Sequence, residues 1–482
     1  MCSKQTESGN ISIFAREKLS ILGRARQYSP LSVTLNETEK IMGFGSVIKD
    51  YLGLSLIDTL YKTLTFHDFF ITAFPGIQKR KIKRIRKKQE KLISEYKGKS
   101  KLTVVFFLQN SSIWKYDTLY RVLEKSERFE PIVVVSPYNV HLIYDKQECF
   151  HVMRETFSFA QAQGYNTICA YDFKKNKWID VKKTINPDIV FFTKPYKDTL
   201  PKYHIYNFTD KLTLHTPYGM LCLDIYRLSY NLPFHNLLWK FLVETEFQYN
   251  FSKQYSLCKG DNAVVVGALA TEKLMDPDFH PQDVWKPQSH TKKKIIWAPH
   301  HTVDYLFNFS NFLVYCDKML ELAKKYEDTV QFAFKPHPVL KFKLINIWGK
   351  EKTEAYYKKW EEMENTQLEQ GYYMDLFKTS DALIHDCASF TVEYLYTKKP
   401  TLFMVRDQQV LSHWNIFGEK CFDMHYHAHD MDEIEHFITR VVIGEQDTMR
   451  EKREKFFFDY LYPKDGVMPS QKIMNILQSE LQ

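Results

Sequence analysis

From Lys101 onward the chain alternates short apolar runs with stretches of helical spacing. Residues 102–108 are an unbroken aliphatic and aromatic run, followed by polar residues 109–112. Helical spacing follows over 114–125, and a second apolar run, 131–135, ends at Ser136-Pro137. Residues 150–163 read as a helix, while 167–170, 188–192 and 212–216 read as strands. An aromatic-rich stretch, 225–256, reads as helical, and 263–266 as a strand before Gly267. Apolar runs of strand length separated by helices are the signature of a parallel sheet covered on both faces.

The polar stretch 276–294 interrupts this series, and a second one begins. Strands are expected at 295–298, 329–334, 382–384 and 401–405. Helices are expected at 312–325, 356–365, 374–378, 390–397 and 432–443, with a charged helical segment over 448–481. The expected fold is therefore α/β, with two Rossmann-like doubly wound domains facing a cleft. In such sheets ligands sit beyond the carboxyl ends of the strands. The division reads as a helical extension over 1–98, a first domain over 99–275, a second over 276–445, and a C-terminal helix over 446–482 that packs back on the first domain. Within the extension only short amphipathic pieces, 47–56 and 60–66, stand out.

Composition sharpens this picture in three places. A length of 482 residues exceeds one ordinary core. No apolar run approaches the roughly 20 residues that cross a bilayer, and the first ten residues lack a signal-peptide core. The eight cysteines include no Cys-x-x-Cys pair, which fits a reducing compartment and no zinc framework. A cytoplasmic protein is expected. The net charge of +8 is concentrated: residues 79–101 hold twelve Lys or Arg against Glu90 and Glu95, leaving the remainder near neutral. This pattern gives no general nucleic-acid field. It does give a basic helix over 78–93, with a thin apolar stripe of Ile82, Ile85, Leu92 and Ile93. Such a helix suits either an anionic membrane surface or a solvated linker.

Candidate chemistry gathers at the strand ends. His300 and His301, His337 with Lys335, and His385 each follow a strand of the second series, and His215 holds a similar place in the first. Imidazole exchanges protons near neutral pH, and Lys335 adds fixed positive charge, so a phosphate-bearing substrate is expected. Ser389 is placed to cap the helix that follows the polar turn 385–389, with Glu393 one turn along. His425, His427 and His429 would share one face of a strand. They fall in an apparent loop without metal-ligand spacing, so exposed or substrate-side histidines are expected there, and no metal.

Ala298-Pro299-His300-His301, Phe334-Lys335-Pro336-His337-Pro338, and the stretch from Ser380 through His385-Asp386-Cys387-Ala388-Ser389-Phe390 to Glu393-Tyr394 and Lys399-Pro400 occur in order. Together they resemble the CDP-glycerol glycerophosphotransferases, the teichoic-acid polymerases and primases. The resemblance implies a fold similar to the GT-B glycosyltransferases, peripheral membrane attachment, and transfer of an alditol phosphate from a CDP-alditol with release of CMP and no bound cofactor. The acceptor would be a hydroxyl on a glycan or polyol phosphate, with a lipid-linked form among the expectations. By position, His337 would contact the donor pyrophosphate and His215 would be the base. Lys335, His300, His301, Asp386, Ser389, Phe390 and Glu393 would bind the donor. Ala388 stands where the family has a first serine of the turn, and His215 lacks the glycine that usually follows. Two other readings fit the same fold: a glycosyltransferase using a nucleotide sugar, and a non-catalytic scaffold on the membrane face.

Overall fold

The computed structural model describes residues 75–482 apart from 139–145, 218 and 304–308; the amphipathic pieces at 47–56 and 60–66 lie outside the described residues. Helix α1 (Pro75–Lys97) leads into a seven-stranded sheet. Its strands are β1 (Leu102–Leu108), β2 (Phe129–Val135), β3 (Thr167–Cys169), β4 (Ile189–Phe192), β5 (Leu212–His215), β6 (Lys240–Val243) and β7 (Ala263–Val265). They run parallel in the order β3-β2-β1-β4-β5-β6-β7. Helices α2 (Asp117–Glu124), α3 (Lys146–Ala162) and α4 (Glu246–Tyr255) are the longer helices of this half.

The second sheet repeats the plan. Strands β8 (Lys293–Ala298), β9 (Val330–Phe334), β10 (Thr366–Leu368), β11 (Ala382–His385), β12 (Thr401–Met404) and β13 (Tyr426–Ala428) lie parallel in the order β10-β9-β8-β11-β12-β13. Helices α5 (Phe312–Lys325), α6 (Leu340–Trp348), α7 (Lys350–Glu362), α8 (Ile416–Phe422) and α9 (Pro469–Leu481) accompany it. Strands β1, β9, β11 and β12 are buried almost throughout, which is why they read as continuous apolar runs rather than alternating ones. Gln331 is the polar residue of β9, and its amide donates to the Lys286 carbonyl at 2.8 Å. Two doubly wound α/β domains are thus present, as the alternation predicts.

Several local expectations change. The aromatic stretch at 225–256 contains β6 between short helices. Strand β10, three residues long, and strand β13, within the supposed loop of histidines, were too short to stand out. His425 is buried at 2 % exposure rather than exposed, its Nδ1 2.9 Å from the Cys421 carbonyl, and its ring lies 5.2 Å from that of His385. His427 stacks on Phe422 at 4.0 Å. The turn 385–389 opens into only one turn of α-helix, Phe390–Glu393, continued as a tighter turn to Thr397. Ser389 has helical torsions itself and makes no side-chain cap hydrogen bond.

Among the described residues, three features order the junction and the crossing between the domains. Helix α9 returns to the first sheet, burying Ile473, Met474, Leu477 and Leu481 among Tyr96, Leu119 and Leu123. Its start is held by Glu272, which accepts from the backbone N–H and hydroxyl of Ser470 and from the Thr118 hydroxyl. In the crossing segment, Trp285 donates from its indole N–H to Thr379 at 2.8 Å. The third is a strap after β5: Asn415 takes Cys222 O with its N–H and Leu221 O and Leu223 O with its amide, and Asp224 N–H donates to His413 O. One apolar cluster accordingly runs through both sheets, including Phe107, Val243, Ala298 and Phe403.

Candidate functional site

Strand register brings the second-domain turns together. Ala298 is paired with His385, and Trp297 with Phe334, so the segments after β8, β9 and β11 leave the sheet side by side. Backbone bonds continue the alignment past the strand ends: Lys335 N–H donates to Trp297 O at 2.8 Å, and His337 N–H to Pro299 O at 3.1 Å. Strand order reverses between β8 and β11, so this is the switch point where parallel sheets bind ligands.

His300, His301 and His337 converge there. Their ring centroids are 4.3, 4.2 and 5.3 Å apart pairwise, and all three are half-buried. One nitrogen from each lies within 4.8 Å of the others, close enough to share an ion or one phosphate group. Val339 N–H donates to Nδ1 of His337 at 3.1 Å. In the neutral ring that bond assigns the proton to Nε2, which makes His337 a hydrogen-bond donor to an anionic oxygen. Nδ1 of His300 lies 2.9 Å from the Thr302 hydroxyl.

Asp386 does not reach outward. At 1 % exposure it accepts from the backbone N–H of His300 and of Asn311, each at 2.6 Å, pinning the histidine turn to the start of α5. Burial pushes its carboxyl up to about 7, against the lowering effect of those two N–H groups. Lys335 is 6 % exposed, donates to Gly371 O at 3.0 Å and sits 4.9 Å over the Tyr373 ring. Burial pushes its ammonium down to about 8, partly offset by Glu369, Cys387 and Glu393.

Glu393 lies at the junction with the first domain. The Tyr373 hydroxyl donates to it at 2.5 Å, and the backbone N–H of Met220, in the strap, favours its charged form. Burial pushes Glu393 up to about 7, opposed by those donors and by Lys115 and Lys335. Gly219 packs on Ser389: a Cβ there would sit 3.0 Å from Ser389 Cβ and 3.4 Å from the Glu393 carboxylate. Phe390 packs edge-on to Phe377 at 5.0 Å and lies 5.2 Å from Tyr373. The strap therefore covers Ser389 and Glu393 in this conformation.

His215 is not brought to the trio. It is 1 % exposed, its Nδ1 lies 2.8 Å from Phe192 O, and its ring packs with Phe234, His235 and Phe241. Burial, then Lys115 and His235, hold it well below the usual histidine range. His385 is likewise enclosed. The structure thus gathers His300, His301, His337 and Lys335 at one strand-end platform, sets Asp386 beneath it, and keeps His215 inside the first sheet's core. Tyr373, Asn311 and Lys115, whose ammonium bonds Thr193 O and Thr216 O, belong to the same junction. Nothing in the sequence singled them out, because their partners lie elsewhere along the chain: backbone carbonyls for Lys115, the Asp386 carboxylate for Asn311 and the Glu393 carboxylate for Tyr373.

Residues 283–478 match the family model described as CDP-Glycerol:Poly(glycerophosphate) glycerophosphotransferase. No curated protein matches the chain at a significant level. Among solved structures, UDP-GlcNAc 2-epimerase from Methanocaldococcus jannaschii in complex with UDP-GlcNAc and UDP is similar at 15% identity and a TM-score of 0.47, with 79% of this chain and 99% of that one covered. The UDP-GlcNAc 2-epimerase from Neisseria meningitidis bound to UDP-GlcNAc gives 14%, 0.46, 79% and 100% for the same measures. A glycosyltransferase from Rickettsia africae ESF-5 gives 15%, 0.40, 80% and 100%.

Proposed function

We propose that this chain, whose residues 283–478 match the CDP-glycerol:poly(glycerophosphate) glycerophosphotransferase family model, is a transferase that moves an alditol phosphate from a CDP-alditol to an acceptor hydroxyl. The observation that carries the reading is the trio His300, His301 and His337 at the β8/β11 switch point, with Lys335 behind it. The acceptor oxygen attacks the β-phosphorus, the bond from that phosphorus to the CMP oxygen breaks, and CMP leaves with the bonding pair. The hydroxyl proton passes to an imidazole of the trio, which solvent can reach, rather than to the enclosed His215. His337, donating from Nε2, and Lys335 stabilise the charge that builds on the phosphoryl oxygens. Asp386 positions this machinery and does not touch the donor.

Helix α1 supports a location for the reaction. Gln78, Ile82, Ile85 and Gln89 face inward, and Arg86 and Gln89 bond the carbonyls of 236–238. Lys79, Arg80, Lys83, Arg84, Lys87 and Lys88 are left on the outer face. That geometry fits contact with an anionic membrane surface, where a lipid-linked acceptor would lie. Among the described residues no helix is long and apolar enough to cross a membrane.

The test is a donor panel of CDP-glycerol, CDP-ribitol and nucleotide sugars, with glycerol as the minimal acceptor. Release of CMP with a CDP-alditol is expected; a nucleoside diphosphate released from a nucleotide sugar instead would replace this reading by a glycosyl transfer.

A further inference from the structure

The first sheet has a switch point of its own, between β1 and β4, where its strand order reverses. Residues from the two strand ends meet there. Asp198, 2 % exposed, accepts from the Lys194 ammonium at 3.2 Å on one oxygen and from the Gln109 amide at 3.5 Å on the other. The Lys194 ammonium also lies 4.2 Å over the ring of Tyr138, which follows β2. Gln109 is 5 % exposed, and with its amide nitrogen committed to Asp198, its Oε1 is sealed from solvent and meets no hydrogen-bond donor among the described residues. A buried carbonyl oxygen left in that condition costs about 1–3 kcal/mol and marks a place for a hydroxyl or a water. Two residues on, Ser111 turns toward the second domain: its Oγ would lie 3.3 Å from a Cβ at Gly371, whose carbonyl receives Lys335. Ser111, after β1, and Gly371, after β10, therefore meet between the two sheets.

We propose that Gln109, Asp198 and Lys194, with Ser111 at the rim, form the site that takes the hydroxyl-bearing end of the acceptor, a neutral polyol. The charge balance supports the class: Lys194 is matched by Asp198, so the site offers paired donors and acceptors rather than a net field for phosphate. Gln109 Oε1 accepts from one hydroxyl, and Asp198 and Lys194 exchange part of their mutual contact for a second. The assignment of the ligand as acceptor rests on the proposed transfer; the polyol site does not.

Saturation-transfer NMR on the full chain, with glycerol as the probe, tests the site without any nucleotide. Transfer to the wild type is expected, reduced at least tenfold in Gln109→Leu and Asp198→Asn and retained in His337→Ala. No transfer to the wild type, or equal transfer in both folded variants, overturns the site. If both variants lose cooperative melting, Ser111→Val gives the same reading from the rim. With CDP-glycerol as donor, the KM for glycerol rises tenfold or more in Gln109→Leu while the KM for the donor stays within twofold. A chain inert toward every CDP-alditol would refute the proposed transfer and leave the glycerol result standing.

Discussion

The backbone N–H of Val339 donates to Nδ1 of His337 across 3.1 Å. The bond comes from the residue two places on, so it is built into the Lys-Pro-His-Pro turn and does not depend on any distant element. In the neutral imidazole it leaves the proton on Nε2, and the rings of the other two histidines lie 5.3 and 4.2 Å away.

Replacing His337 by Ala should lower CMP release from CDP-glycerol about 100- to 1,000-fold, the usual effect of removing one positioned donor. His337→Asn, which keeps an amide donor, should recover part of that loss. Steady-state kinetics beside a thermal melt check both; equal rates in wild type and His337→Ala would move the site elsewhere.

The strap after β5 depends on glycine at 418. A Cβ there would overlap the carbonyl oxygen of Cys222 and press within 2.9 Å of the Trp414 ring. Gly418→Ala should cost about 1–3 kcal/mol and loosen the domain junction. Hydrogen exchange over 219–224 and 414–418 would report it, and unchanged protection would show that the strap absorbs a methyl group.

Stability should depend on pH through two opposed sets of groups. Burial is the main cause holding His235 and His385 down to about 3, against 6.5 in the unfolded chain. Unfolding takes up their protons between those values, so the stability they contribute is complete above pH 6.5 and is lost as pH falls toward 3. Asp386 and Glu393, pushed up to about 7 from 3.8 and 4.5, act the other way. Their folded forms bind protons first on acidification, so the cost they impose above pH 7 is relieved as pH falls toward 4. His385→Gln removes one member of the first set. Its melting temperature relative to wild type should rise as pH falls from 6.5 to 4, by a free energy on the order of 3 kcal/mol at most. Parallel curves across that window would show that His385 is not held neutral by the fold.

Changing the six outward cations of α1, Lys79, Arg80, Lys83, Arg84, Lys87 and Lys88, to Ser should abolish sedimentation with vesicles containing anionic lipid, since each contributes about 1 kcal/mol near such a surface. Arg86 is left in place because its bonds hold α1 to the first domain. Binding that persists in the sextuple variant would make α1 a solvated helix.

Much of the architecture was legible because parallel strands buried on both faces carry continuous apolar runs, as in β1 and β9. Three short strands, β6, β10 and β13, were lost among aromatic and polar neighbours, whereas β3 and β7, no longer than they, were read. The same holds at the platform. His300, His301, His337 and Lys335 could be located because each follows a strand, and parallel register does the rest. Burial could not be read that way. His215 follows a strand as they do, yet Phe234, His235 and Phe241, 19 to 26 positions later, close over it. Asp386 has the composition of a ligand contact, but its partners are backbone N–H groups 75 and 86 residues earlier.

The Glu393 carboxylate is shared by the two halves, bonded by Tyr373 of one and faced by the Met220 N–H of the other. A molecule that takes the place of the Tyr373 hydroxyl on that carboxylate must first displace it. Where such occupation opens the junction the two are reciprocal by linkage: a substitution that loosens the junction at Glu393 should strengthen a ligand bound there. The turn that carries Glu393 thus works as a balance between being closed and being occupied.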